Sequence, residues 1–177
     1  VTDHNGCTIV ANFVITEPAI LSATKGNVSN VSCNGSTNGS AAVIAAGGTP
    51  PYTYVWSNGQ TGTANIINLT GGTYTVTITD SKNCSVTQSF AITEPAVVHP
   101  PSIGTQNLCD NQNATLANIN SSALNIKWYS SATGGTPLTV STVLINGTTY
   151  YATETLNGCE STYRTPVLVN LLKVQPI

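Results

Sequence analysis

The sequence predicts an all-β protein made of small antiparallel β-sandwiches in tandem, joined end to end, and three observations carry that expectation. The run Gly72-Thr73-Tyr74-Thr75-Val76-Thr77-Ile78-Thr79 alternates small polar with large apolar residues at period two, which puts Tyr74, Val76 and Ile78 on one face of a strand and threonines on the other. Tyr52-Thr53-Tyr54-Val55-Trp56 does the same with Tyr52, Tyr54 and Trp56, so the two strands can share a core. No apolar face at helical spacing runs for three turns, while β-branched residues are frequent throughout.

Composition narrows the partners. Charged residues make up 7% of the 177, with five Lys plus Arg against seven Asp plus Glu, so there is no basic field for nucleic acid or anionic lipid. No run of about 18 apolar residues exists to span a membrane. At 40% hydrophobic residues the chain still has enough Val, Ile, Leu and Tyr for small cores and is not of disordered type. The five cysteines, Cys7, Cys33, Cys84, Cys109 and Cys159, form no CxxC pair and have no histidine at ligand spacing. Disulfides in an oxidising, extracellular setting are therefore expected, with no zinc and no other cofactor.

The odd count has an explanation in an internal repeat. Val1–Ala19 (VTDHNGCTIVANFVITEPA) aligns without gaps on Ile78–Ala96 (ITDSKNCSVTQSFAITEPA), with Cys7 and Cys84 offset by 77 residues. A period of that length suits beads on a string, each a small sandwich. Val1–Ala19 is expected to be the last strand of a preceding bead, the chain an excised piece of something longer, and Cys7 unpaired by that truncation.

The complete bead is expected over residues 20–96, with strands at Asn27–Cys33, Ser40–Ala46, Tyr52–Trp56, Thr63–Leu69, Thr73–Thr79 and Ser85–Thr93. Asn34-Gly35, Asn38-Gly39, Gly47-Gly48, Asn58-Gly59 and Gly71-Gly72 supply the turns between them. Cys33 would end the first strand and Cys84 open the last, so their order suggests a Cys33–Cys84 bridge closing a loop of about 50 residues. Val97-Val98-His99-Pro100-Pro101 then reads as a stiff linker over 97–101, followed by a second sandwich over 102–177.

A family resemblance rests on Cys33-Asn34-Gly35, Asn38-Gly39-Ser40, the run Gly47-Gly48-Thr49-Pro50-Pro51-Tyr52-Thr53-Tyr54-Val55-Trp56-Ser57-Asn58-Gly59, Asn68-Leu69, Gly72-Thr73-Tyr74-Thr75-Val76, Thr79-Asp80, Cys84 and Ile92-Thr93-Glu94-Pro95. These residues together resemble the SprB-type repeat of very large surface adhesins in gliding Bacteroidota. The resemblance spans the bead and also covers Val1–Ala19. It implies a cell-surface protein exposed on the outer membrane, exported by the type IX secretion system, used in attachment and gliding, and without catalytic residues.

The remainder carries Asn107-Leu108-Cys109, Asn125-Ile126-Lys127-Trp128-Tyr129, Gly134-Gly135-Thr136, Gly147-Thr148-Thr149-Tyr150-Tyr151-Ala152-Thr153 and Asn157-Gly158-Cys159-Glu160-Ser161. It resembles the Ig-like domain found beside type IX sorting domains, which implies Ig-like or fibronectin-like sandwiches. The order Cys109, Trp128, Cys159 resembles an immunoglobulin-type core, so a Cys109–Cys159 bridge is expected, with Trp128 and Tyr150 in the core.

Candidate chemistry is thin. His4 and His99 have no acid or cysteine at ligand spacing and read as solvated. Asp3 and Asp80 precede equivalent cysteines and read as acceptors of backbone N–H bonds, with calcium as the alternative. Glu17 and Glu94, in the Thr-Glu-Pro signature, read as junction residues. Asp110, Glu154 and Glu160 stand singly among neutral residues, and Arg164 belongs to no nucleophile or phosphate motif, so the chain is not read as an enzyme. Sequons at Asn27, Asn30 and Asn113 are what chance produces in such a composition.

The expected function is a structural stalk segment whose partners are neighbouring repeats of the same chain, and through them surface polysaccharide or other cells. Two other functions compete. One is a carbohydrate-binding module using Trp56 and Trp128 as stacking platforms. The other is a filament subunit in which Val1–Ala19, with apolar Ile9, Phe13 and Ile15, completes a neighbouring molecule by strand addition.

Overall fold

The computed structural model describes residues 1–110 and 113–173. Its contacts divide the chain into two units, Val1–Ser29 with Gly39–Ile92, and Asn30–Asn38 with Thr93 onward. The strands are joined by turns and loops, with a 3-10 turn at Leu116–Asn118.

In the first unit, β1 (Ser22–Ser29), β2 (Gly39–Ala46) and β4 (Asn65–Leu69) form one antiparallel sheet in the order β1-β2-β4. A second antiparallel sheet comprises β3 (Thr53–Trp56), β5 (Gly72–Thr79) and β6 (Ser85–Ile92), in the order β3-β5-β6. The period-two pattern of β5 works as its side chains dictate: Val76 and Ile78 are fully buried, while Thr73 is exposed and Thr75 and Thr77 are half-buried. Trp56 lies 5.4 Å from Phe90, ring centre to ring centre, and donates its indole N–H to the Thr63 carbonyl. Ala41, Val43, Ile66 and Leu69 supply the core side of the other sheet. The two sheets close tightly, since a Cβ on Gly39 of β2 would stand 2.8 Å from the Ile92 side chain of β6.

The first strand departs from expectation. It runs over Ser22–Ser29 rather than Asn27–Cys33, with a bulge between Lys25 and Val28. Gly26 stands in that bulge, where a Cβ would lie 3.1 Å from Ala42 and crowd it, and the bulge breaks the alternation that would have marked the strand in the sequence. Asn30–Cys33 is consequently loop.

The second unit holds β7 (Gln106–Cys109), β8 (Ile126–Tyr129), β9 (Thr148–Leu156), β10 (Cys159–Glu160) and β11 (Thr165–Leu172). Their sheet has the order β10-β9-β11-β7, with β8 also paired to β9. The pairing of β11 with β7 is parallel, an exception to the antiparallel expectation. Trp128, Tyr150, Ala152, Val167 and Val169 form the buried face. Ala114, Leu116, Ile119 and Leu144 close over it from the loops, tied by Leu144 N–H to Ala114 O at 2.7 Å and Leu116 N–H to Thr142 O at 3.0 Å.

Candidate functional site

Two cysteine hairpins of one design stand in the first unit. Asp80 is buried, and its carboxylate accepts the N–H groups of Thr49, Lys82 and Cys84, each at 2.9 Å. The hydrogen bond from the Thr49 N–H, aided by those from Cys84 and Lys82, outweighs burial and holds this carboxyl below its ordinary range. Asn83 closes the turn at φ 65°, and Asp80 N–H reaches Cys84 O at 2.9 Å. Asp3 repeats the arrangement: it accepts from Asn5 and Cys7, Asp3 N–H reaches Cys7 O at 3.0 Å, and Gly6 takes the left-handed position at φ 81°. Both aspartates therefore hold turns, and the sequence repeat is a repeat of hydrogen bonds as well.

In the second unit, the loop carrying Cys33 is bound by the Thr-Glu-Pro signature. Asn30 accepts the Thr93 N–H at 2.9 Å, and Val31 N–H reaches Thr93 O at 3.2 Å. Glu94 accepts from Gly35 N–H at 2.9 Å, and the Asn34 amide donates to Pro95 O at 3.2 Å. The loop presents Cys33 to Cys159, and the two form a disulfide with Cα atoms 5.6 Å apart. Cys159 itself opens β10 just after the Asn157-Gly158 turn, both of whose residues have positive φ.

This bond replaces both pairings expected from the order of cysteines, Cys33–Cys84 and Cys109–Cys159. Cys7, Cys84 and Cys109 are free and exposed. A disulfide needs Cα atoms within about 7 Å. Cys84 adjoins Ser85, which opens β6, whereas the Thr93–Pro95 segment holding Cys33 follows Ile92 at the opposite end of that strand. Those two ends of β6, Ser85 and Ile92, are eight residues of strand, roughly 25 Å, apart. Cys109 lies on β7 and Cys159 on β10, the two ends of the order β10-β9-β11-β7, or about three strand spacings, roughly 14 Å, apart.

Glu160 is not solitary, as the sequence suggested. It accepts from Lys127 Nζ at 2.6 Å, Tyr129 OH at 2.6 Å and Thr153 Oγ1 at 2.7 Å. Burial pushes its carboxyl up, but the hydrogen bonds from Lys127, Tyr129 and Thr153 win and hold it at about 2. The Arg164 guanidinium stacks 3.4 Å above the Tyr129 ring and donates to Ser131 O and Gly134 O. Lys127 and Tyr129 stand two apart on β8, and Thr153 is directly opposite Lys127 on β9, a register that spacing in the sequence does not state.

The remaining candidates are scattered. His4, His99 and Glu17 are exposed. Glu154 accepts the Leu124 N–H at 3.3 Å. Among the described residues no group of three His, Cys, Asp or Glu could hold a metal. Trp56, Val76, Ile78, Trp128 and Tyr150 are buried, and Tyr52, Tyr54 and Tyr74 are half-buried. With 2% and 4% exposure, the two tryptophans present no ring for stacking on a sugar. Among the described residues no helix is long and apolar enough to cross a membrane.

No curated protein matches the chain. A solved structure titled "Biofilm associated protein - BSP domain" aligns over 84% of this chain and 30% of its own, at 19% identity and a TM-score of 0.28. The chain thus spans about 30% of the length of that protein. Residues 26–61 match the model of the SprB repeat, and residues 95–176 match the model described as Ig-like domain CHU_C associated. Such repeat and Ig-like domains are in general non-enzymatic and fit a secreted, adhesin-type protein of the cell surface. The chain carries a SprB repeat followed by an Ig-like domain of the CHU_C-associated kind.

Proposed function

We propose that this chain is a non-enzymatic stalk segment of a large repetitive adhesin, exposed on the outer membrane and used for attachment and gliding. The observation that carries this reading is the duplicated hairpin, in which Asp3–Cys7 and Asp80–Cys84 make the same hydrogen bonds 77 residues apart. A length of chain that repeats a structural device rather than a binding surface suits a spacer made of serial domains. The Cys33–Cys159 bond supports the same reading, since it ties a residue of the SprB-matched stretch to one of the Ig-matched stretch. Its neighbouring partners are repeats of its own kind, its domains those expected over 20–96 and 102–177, and its export that of the type IX route.

The test replaces residues 20–177 in the parent adhesin by unrelated β-sandwich domains of equal combined length. Attachment and gliding at wild-type level support the stalk; their loss with surface display intact overturns it in favour of a binding segment.

A second reading, strand donation to a neighbouring molecule, is favoured by one observation. Phe13 and Ile15 are 87% and 93% exposed, whereas their counterparts Phe90 and Ile92 on β6 are buried. A monomeric mass by light scattering across the micromolar range would remove it.

A further inference from the structure

Cys84 and Cys159 stand at corresponding points of their hairpins: Cys84 is the residue just before the returning strand β6, and Cys159 is the first of the returning strand β10. One is bridged and one is free. The segments running in beside them correspond as well. Thr93-Glu94-Pro95-Ala96 holds the Cys33 loop by the four hydrogen bonds described, with Ala96 bordering the space beside Cys159. Thr16-Glu17-Pro18-Ala19 has the same four residues and is exposed, and its Pro18 and Ala19 border the space beside Cys84. That space is a cleft of about 580 Å³ with Ile20, Thr49 and Asp80 also on its wall. Beside the Cys33–Cys159 bond the clefts are only about 60 and 230 Å³.

We propose that Cys84 is a bridging site for the Cys33-type loop of a second SprB-type repeat placed ahead of Ile20, so that successive domains are linked through sulfur as well as through the backbone. Thr16-Glu17-Pro18 binds that loop as Thr93-Glu94-Pro95 binds its own, and the loop occupies the cleft beside Cys84. The proposal rests on the serial-domain reading above. It assigns the five cysteines by one rule: Cys7, Cys84 and Cys159 receive, while Cys33, which follows β1, and Cys109, which ends β7, donate.

Each bridge replaces two S–H bonds by one S–S bond. Two electrons and two protons leave, and the electrons reduce the disulfide of a thiol–disulfide oxidoreductase during export, or glutathione disulfide in the test.

The experiment inserts a second copy of residues 20–96 between Ala19 and Ile20 of the full chain. Thr37→Ser and Lys82→Arg mark the inserted copy by mass. After oxidation with glutathione disulfide, non-reduced peptide mapping is expected to join the marked Cys33 peptide to the unmarked Cys84 peptide, with the unmarked Cys33 still on Cys159. A marked Cys33 joined to the marked Cys84, or both thiols left open to alkylation, overturns the proposal. Cys33→Ser in the inserted copy provides the control, expected to free the unmarked Cys84 for alkylation while the Cys33–Cys159 bond persists. Attachment assays do not enter this readout, so a bridge found alongside failure of the domain-replacement test would overturn the stalk and leave the bridge standing.

Discussion

Asp80 and Glu160 each accept three hydrogen bonds, Asp80 from backbone N–H groups and Glu160 from side chains. Asp80 was legible, because an aspartate that opens a turn is a familiar acceptor of N–H bonds, and its partners Lys82 and Cys84 are local. Glu160 was not, because its three donors come from β8 and β9, and only strand register brings them together. Both carboxyls lie below their ordinary values, so each contributes stability that is complete above the unfolded value and lost as pH falls through the folded one. For Glu160 that window runs from 4.5 down to about 2. Glu160→Gln is expected to cost on the order of 2 kcal/mol at pH 7, after discounting the partly exposed Lys127 pair, and to flatten the acid limb of a denaturation series between pH 4.5 and 2. Asp80→Asn is expected to lower the thermal midpoint of the first unit at pH 7 and to leave the difference from wild type smaller at pH 3, which calorimetry at both values would read.

Among the elements, five of the six strands of the repeat were legible from alternation and turn residues and fall within two residues of where the pattern put them. The first did not, because a glycine-containing bulge breaks the period that alternation relies on. The turn at Gly47-Gly48 shows how closely the segment before β1 is held. Gly47 has φ 71° and a Cβ there would stand 2.1 Å from the Ile20 carbonyl oxygen, while Gly48 N–H donates to Ala19 O at 2.6 Å. Gly47→Ala is expected to destabilise the first unit by about 2 kcal/mol or more and to displace Ala19–Ile20. Urea denaturation gives the first effect, and amide exchange at Gly48 the second.

For the whole molecule, sequence order told which domains follow one another but not which sulfurs meet. Cysteine pairing depends on distances in space, and neither β6, which separates Cys84 from the segment binding Cys33, nor the sheet order separating Cys109 from Cys159 can be read from spacing. The bond found closes 126 residues, and the chain-entropy model gives such a loop about 4–5 kcal/mol. Cys33→Ser is accordingly expected to lower the unfolding free energy of the second unit by about 2–4 kcal/mol, measured in denaturant without reductant.

That same bond changes what a severed backbone means. Val97 and His99 are exposed between Cys33 and Cys159, so an endopeptidase that cuts among residues 97–99 leaves both products on one covalent framework. A nicked chain is expected to migrate as one band without reductant and as two with it. A chain cut there would stay continuous until something reduces the sulfurs.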